Sequence, residues 1–179
     1  MRQVLDLLRN RSDGLARIGV IYNPDTAPYA RPLISSAKVA AGSQMAVIEC
    51  PVRDENEIEA VASLLAREPH GGVLVIPEPF TNAHRDRIIA QCARFKLPAL
   101  NPVSGAAARG ALLCYTYLFD PMIRQPVAYV DRILKGESPA DLPVQAPTKF
   151  QLSINLKTAK ALGLDVSPTL LARADEVIE

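Results

Sequence analysis

Thiols and imidazoles carry much of the nucleophilic, acid–base and metal chemistry of proteins, and this chain has three cysteines and two histidines to weigh. Cys50, Cys92 and Cys114 show no CxxC spacing, are odd in number and sit in or beside apolar runs. They read as small buried hydrophobes, not as a zinc site, a disulfide framework or a nucleophile. His70 lies in the turn Pro69-His-Gly-Gly72 and His84 at the start of a helical pattern, so both read as surface residues. GxGxxG, Walker, GxSxG, HExxH and DxD patterns are absent, which removes the usual residues for phosphate cradling, serine hydrolysis and metal hydrolysis. No catalytic residue, metal or cofactor is assigned, and the chain is not expected to be an enzyme. What remains is non-covalent recognition. Asn23 with Pro24, Glu78, Phe80, Asn101, Tyr115 and Thr116 stand where apolar β runs end, and together offer amide, carboxylate, aromatic and hydroxyl groups to a small molecule. Asn23-Pro24 and Asn101-Pro102 serve equally well as turn formers.

The stretch Ala16-Arg-Ile-Gly-Val-Ile-Tyr-Asn-Pro-Asp-Thr26 sets the pattern of elements that must position these groups. Ile18 to Tyr22 is a short β-rich run with little alternation, hence a strand buried on both faces, and Asp25 or Thr26 is placed to cap the helix that follows. Tyr29 to Ala41 has helical spacing and Gly42 closes it. Met45 to Cys50 is a second strand, after which Asp54 and Glu57 form a capping box before Ile58, Val61, Leu64 and Leu65. Val73 to Ile76 is a third strand, wholly apolar; Thr81 or Asn82 then caps a helix containing Ile88, Ile89, Cys92 and Phe95. Leu97 to Leu100 and Ala111 to Tyr115 give strands four and five, with a small-residue helix, Ser104 to Arg109, between them. A lead-in helix is expected over Arg2 to Asn10. This alternation predicts an α/β fold, a doubly wound parallel sheet with helices on both faces and strand order 2-1-3-4-5, which brings the candidate residues to one carboxyl edge.

Beyond Tyr117 the pattern changes. Tyr129, Val130, Ile133 and Leu134 form the apolar face of a helix over Pro126 to Lys135, with Pro126 expected to start or kink it. A proline-punctuated connector, Ser138 to Thr148, leads to a strand over Phe150 to Leu156, a short helix over Lys157 to Leu162 and a last turn over Pro168 to Ala174.

A length of 179 residues with 49% hydrophobic content suits one domain with a real core. A net charge of +1 with both signs interspersed gives no electrostatic footprint for nucleic acid or an anionic membrane. No apolar run reaches the roughly 20 residues that span a bilayer, and Met1-Arg-Gln-Val-Leu-Asp6 lacks the core of a signal peptide. As written, the chain is expected to be soluble, without an export address, and cytoplasmic.

The tail carries a family resemblance. Lys135-Gly-Glu-Ser-Pro-Ala-Asp-Leu-Pro-Val-Gln-Ala-Pro-Thr-Lys-Phe150, Leu152-Ser-Ile-Asn-Leu-Lys-Thr-Ala-Lys-Ala-Leu-Gly163 and Leu170-Leu-Ala-Arg-Ala-Asp-Glu-Val-Ile-Glu179 closely resemble the C-terminus of ABC-transporter substrate-binding proteins related to tryptophan-type and branched-chain-amino-acid-type periplasmic receptors. The Asn23-Pro24 loop and the order of elements extend the resemblance over nearly the whole chain. It implies a type I periplasmic-binding-protein-like fold with two lobes that close by a hinge on an amino-acid-like molecule and deliver it to an ABC permease. This chain resembles the second lobe: residues 1–117 the lobe, 118–148 a helix and crossing connector, 149–179 the returning strand and helix. The resemblance implies a periplasmic protein and, with a first lobe missing, either a domain taken from a longer chain or a truncated gene product. In either case its unpartnered helix is expected to drive a homodimer. A truncated, non-transporting interaction module is the alternative, and a flavodoxin-like α/β enzyme a further one. Where the family commonly has Ser-Tyr-Gly, this chain has Cys114-Tyr115-Thr116-Tyr117.

Overall fold

A computed structural model describes residues 15–43 and 45–179, so the lead-in helix expected over Arg2 to Asn10 lies outside the described residues. The central strand, β1 (Arg17–Tyr22), is buried on both faces at every residue after Arg17, as its unbroken apolar run requires. It pairs in parallel with β2 (Ala46–Pro51) on one side and β3 (Gly71–Val75) on the other. Helices α1 (Ala30–Ala41) and α2 (Glu55–Leu65) make the crossovers. Through α3 (Pro79–Ala83) and α4 (Arg85–Arg94) the chain reaches β4 (Ala99–Leu100), and then β5 (Leu113–Tyr117), both still parallel. After α5 (Phe119–Leu134) and a 3-10 turn (Pro139–Asp141), β6 (Phe150–Asn155) returns antiparallel to β5. Helices α6 (Leu156–Ala161) and α7 (Pro168–Leu171) precede β7 (Glu176–Ile178), parallel to β6. The sheet order is β2-β1-β3-β4-β5-β6-β7, which contains the expected 2-1-3-4-5 and adds two strands.

Among the described residues, alternation along the strands feeds two large cores, and a smaller cluster gathers Ile89, Ala106, Ala107, Ala111 and Cys114. Ile18, Val20, Leu74, Ile76, Leu100 and Leu113 meet Ile34, Ala37 and Ala41 of α1 on one face. Ile21, Val73, Val75 and Ala99 meet Ile58, Ala62 and Leu65 of α2 with Ile88 and Cys92 of α4 on the other. Helices on both faces are thereby fixed by one sheet.

Several local expectations need correcting. Helix α1 has Tyr29 at its N-cap with no side-chain cap bond; Asp25 donates its amide to Asn23 instead, and Thr26 bonds Glu78. Asp54 does cap α2, accepting from the amides of Asn56 and Glu57, but the Glu57 carboxylate takes the Arg53 amide in place of the expected reciprocal bond. Neither Thr81 nor Asn82 opens a helix: Glu78 caps α3, a turn that the proline at its first position pre-organises. Residues 104–109 form successive turns with i to i+3 bonds, because Gly105 adopts φ +77° and breaks the run. Helix α5 begins seven residues before Pro126 and carries it inside. One missing donor is tolerable where a helix runs along the surface, since the carbonyl it leaves can be hydrated. The strand β7, three residues long and acid-led, has no counterpart among the expected elements.

Two glycines let α2 approach the sheet. A Cβ on Gly71 would stand 2.9 Å from the carbonyl oxygen of Leu65, and one on Gly19 would meet the Leu65 Cδ1 at 2.3 Å. Leu65 is itself buried and has no room to withdraw. Gly71→Ala is expected to lower stability by about 1–3 kcal/mol, the range for overpacking, read as a lower urea midpoint at unchanged slope; an unchanged midpoint would show that α2 can lift away freely.

Candidate functional site

Parallel register puts the exits of β1, β3, β4 and β5 at one edge of the sheet, and the candidate residues follow from it. Asn23 leaves β1, Glu78 and Phe80 follow β3, Asn101 leaves β4, and Tyr115 and Thr116 lie in the last half of β5. Asn23, Glu78, Asn101 and Thr116 are all buried, although polar side chains usually remain in water. Such groups demand partners, and the partners define the site.

Asn23 accepts the Asp25 amide on its Oδ1 at 2.8 Å, and its carbonyl accepts from the Ala27 amide at 2.9 Å. The loop over Pro24 is thus a built turn. Glu78 is 2% exposed. Its Oε2 accepts from the Phe80 amide at 2.7 Å and from the Thr26 hydroxyl at 2.5 Å, and its Oε1 from the Thr81 amide at 2.7 Å. The carboxylate therefore ties the exit of β1 to that of β3 while capping α3. Tyr29 adds a second tie, donating its hydroxyl to the Pro77 carbonyl at 3.0 Å. Phe80 is half-buried against the core shared by α2 and α4, and its ring lies 4.3 Å from that of His84. Asn101 is fully buried; its Oδ1 accepts the Val103 amide at 3.2 Å, while its Nδ2 has no partner among the described residues. An unpaired buried donor costs about 1–3 kcal/mol, which leaves the Asn101 Nδ2 as a buried donor in want of a partner. Alternation puts Thr116 on the same sheet face as Cys114, whereas Tyr115 faces the other way and stacks on Phe150 at 5.3 Å, 8° from parallel.

Sequence reasoning named the strand exits but gave Thr26 a capping role and did not foresee the Tyr29 bond to Pro77 or the contact of His84 with Phe80. No motif marks these three; only the three-dimensional pairing does. A groove of about 610 Å³ opens at the opposite, amino edge between α4 and α6. Its lining is mostly apolar; of its charged residues Asp86 and Arg109 pair with each other and Lys157 is exposed, while Thr158 donates to the Gly110 carbonyl. Among the described residues no cluster of histidine, cysteine or acidic side chains has metal-binding geometry, and no helix is long and apolar enough to cross a membrane.

Comparison with known proteins gives a consistent result. The family model for ABC transporter substrate binding proteins matches residues 1–178. A tyrosine-binding protein from Clostridioides difficile (strain R20291) is 24% identical over 164 residues, 90% of this chain and 47% of the relative. The chain thus spans about half the length of that relative. A conserved domain protein from Vibrio cholerae O1 biovar El Tor superposes with a TM-score of 0.86 at 24% identity, covering 98% of this chain and 59% of the other. An ABC domain from Streptococcus pneumoniae in complex with L-Trp gives 0.85 at 20% identity, covering 99% and 61%. The ligand-free, open structure of a Clostridium difficile substrate-binding protein with adhesive properties gives 0.71 at 20% identity, covering 98% and 58%. At these identities the structural likeness is one of fold.

The thiols take no part in this site. Burial pushes Cys50 up to about 11 and Cys92 up to about 12, and raises Cys114 as well. A thiol reagent applied to the native protein at pH 8 is expected to find almost no thiolate, with three groups reacting only after denaturation in urea; rapid native labelling would show that a core opens locally.

Proposed function

The chain belongs to the ABC transporter substrate-binding protein family, and from that premise we propose that it is one lobe of a solute receptor serving an uptake system. The ligand is a small polar, amino-acid-like molecule held at the carboxyl ends of the parallel strands. Asn23, Pro24, Glu78, Phe80, Asn101, Tyr115 and Thr116 line this edge, the aromatic rings offering faces and the amides and hydroxyl orienting groups. In this reading residues 1–117 form the binding lobe, 118–148 an arm and 149–179 the return, and the loaded receptor works on the periplasmic side of the membrane, delivering its ligand to an ABC permease. Support for the solute class comes from the relatives, one a tyrosine-binding protein and one solved with L-Trp. The chain's coverage of only 47% to 61% of those relatives supports the one-lobe reading.

One observation carries the proposal: the unsatisfied Nδ2 of Asn101 among buried polar residues at the strand exits. Titration calorimetry with L-tryptophan and L-tyrosine tests it. A single lobe supplies roughly half of the contacts of a closed cleft, so binding weaker than micromolar is expected. Asn101→Asp keeps the acceptor for the Val103 amide and replaces the donor by an oxygen; it should weaken binding about tenfold, near 1.4 kcal/mol. Equal binding by the variant would remove Asn101 from the site.

The arm bears on association. Along α5, Ile123, Val127, Val130 and Leu134 follow one another at helical spacing and are 62%, 64%, 55% and 82% exposed. Tyr129 donates its hydroxyl to the Pro143 carbonyl at 2.6 Å, and a groove of about 520 Å³ runs between the helix and the connector. Leaving such side chains in water forgoes about 1.5–3 kcal/mol each, and we propose that a second copy covers them in a two-fold dimer. Light scattering should give twice the chain mass at high micromolar concentration, and Leu134→Glu should return the monomer; a wild-type monomer whose solubility Leu134→Glu leaves unchanged would exclude the dimer.

A further inference from the structure

We propose that His84 is a positioning residue for the Phe80 ring, and that through this ring it favours ligands with a flat aromatic side chain. The ligand part rests on the crevice reading above.

His84 joins α3 to α4. Its amide donates to the Phe80 carbonyl and its own carbonyl accepts from the Ile88 amide, both at 3.0 Å. Its side chain makes no cap bond to α4, so neither helix needs the imidazole for its own termination. The ring instead has two other neighbours. One is Phe80, at 4.3 Å between centroids and tilted by 45°, a geometry in which aromatic pairs attract. The other is Glu55 in the first turn of α2, whose Oε1 lies 3.3 Å from the imidazole Nδ1. The second oxygen of Glu55 is held by Arg87 Nη1 at 2.9 Å. A row of contacts thus runs from Arg87 through Glu55 and His84 to Phe80, spanning α4, α2 and α3 and ending at the crevice.

The consequence concerns the ring's freedom. One part of Phe80 rests on the core beneath α2 and α4, and the imidazole closes a flank. Without that flank the side chain regains rotamer freedom, and a stacking ligand must then restrict it on binding. An aliphatic ligand asks less of ring orientation, so the loss should discriminate between ligand types.

The chain contains no tryptophan, so Phe80→Trp installs a single fluorophore where the ring lies. In that background and without ligand, His84→Ala is expected to lower the emission anisotropy and to raise acrylamide quenching about twofold or more, and His84→Phe to restore both. With Phe80 present, His84→Ala should weaken L-tryptophan binding about 3- to 10-fold and leave L-leucine binding within about twofold, with recovery in His84→Phe. Thermal unfolding of each variant reports the fold separately. The proposal is overturned if the indole emission of the Phe80→Trp protein does not respond to His84→Ala, if both ligands weaken alike, or if His84→Phe rescues neither reading. If no amino acid binds the wild type while the installed indole still responds to His84→Ala, the hold on the ring stands and the crevice reading fails.

Discussion

Parallel pairing of β1 with both of its neighbours is the constraint from which the site follows. A parallel ladder is continued only by crossovers that carry the chain back to the amino edge, so β1 to β5 all leave the sheet on the same side. At that edge the backbone loses its ladder partners while still close to the apolar cores, and its N–H groups must be satisfied locally. Side chains do this work. Asn23 takes the Asp25 amide, Glu78 those of Phe80 and Thr81, and Asn101 that of Val103. The same residues therefore end strands and gather at one edge, and in the proposed reading a ligand there would draw on whatever capacity the turns leave over. Asn101 Nδ2 is the clearest such remainder.

Glu78 illustrates how far the two duties compete. A buried carboxylate is costly unless fully hydrogen-bonded, and this one meets the demand by accepting from two amides of α3 and from the Thr26 hydroxyl. It thereby fixes the loop after β1 against the loop after β3. In the proposed reading that rigidity would favour binding, because groups already in place need no further ordering. Under the proposed reading, the capacity committed to the chain is capacity withdrawn from a ligand, which would shift the burden of recognition towards Phe80, Asn101 and Thr116.

The fold was legible in the sequence where hydrophobic period and punctuation agree. Ile18 to Tyr22 and Val73 to Ile76 are apolar throughout because helices cover both faces, and the prolines, glycines and Asp54 around them mark the crossovers. Strand order follows from chirality and short connections. Legibility fails where tertiary pairing overrides local chemistry. Thr26 is an excellent cap residue in isolation, yet its hydroxyl finds a buried carboxylate 52 positions away. Residues 104–109 have the composition of a helix but pass through Gly105 at positive φ, and β7 exists only because β6 offers an edge. The strand-exit residues could be named from the sequence, but not which of their lone pairs and donors the turns consume.

The arm poses a separate energetic problem. Helix α5 has 16 residues and an internal proline, and its described side chains are half-buried or exposed. An isolated helix of that length is marginal in water even without the missing donor. The Tyr129 bond to Pro143 and the Asp131 to Lys135 pair on its surface add little. Burying the exposed stripe of Ile123, Val127, Val130 and Leu134, as in the proposed dimer, would add to its stability and would make folding of the arm and docking of its apolar face one equilibrium. Leu118 alone separates the arm from β5, the strand that carries Tyr115 and Thr116. The amide of Leu118 donates to the Lys149 carbonyl, next to Phe150, on which Tyr115 stacks. In the proposed dimer, a partner that holds the arm in one pose would also steady the end of β5, and under the proposed binding reading would lower the ordering cost of a ligand beside it.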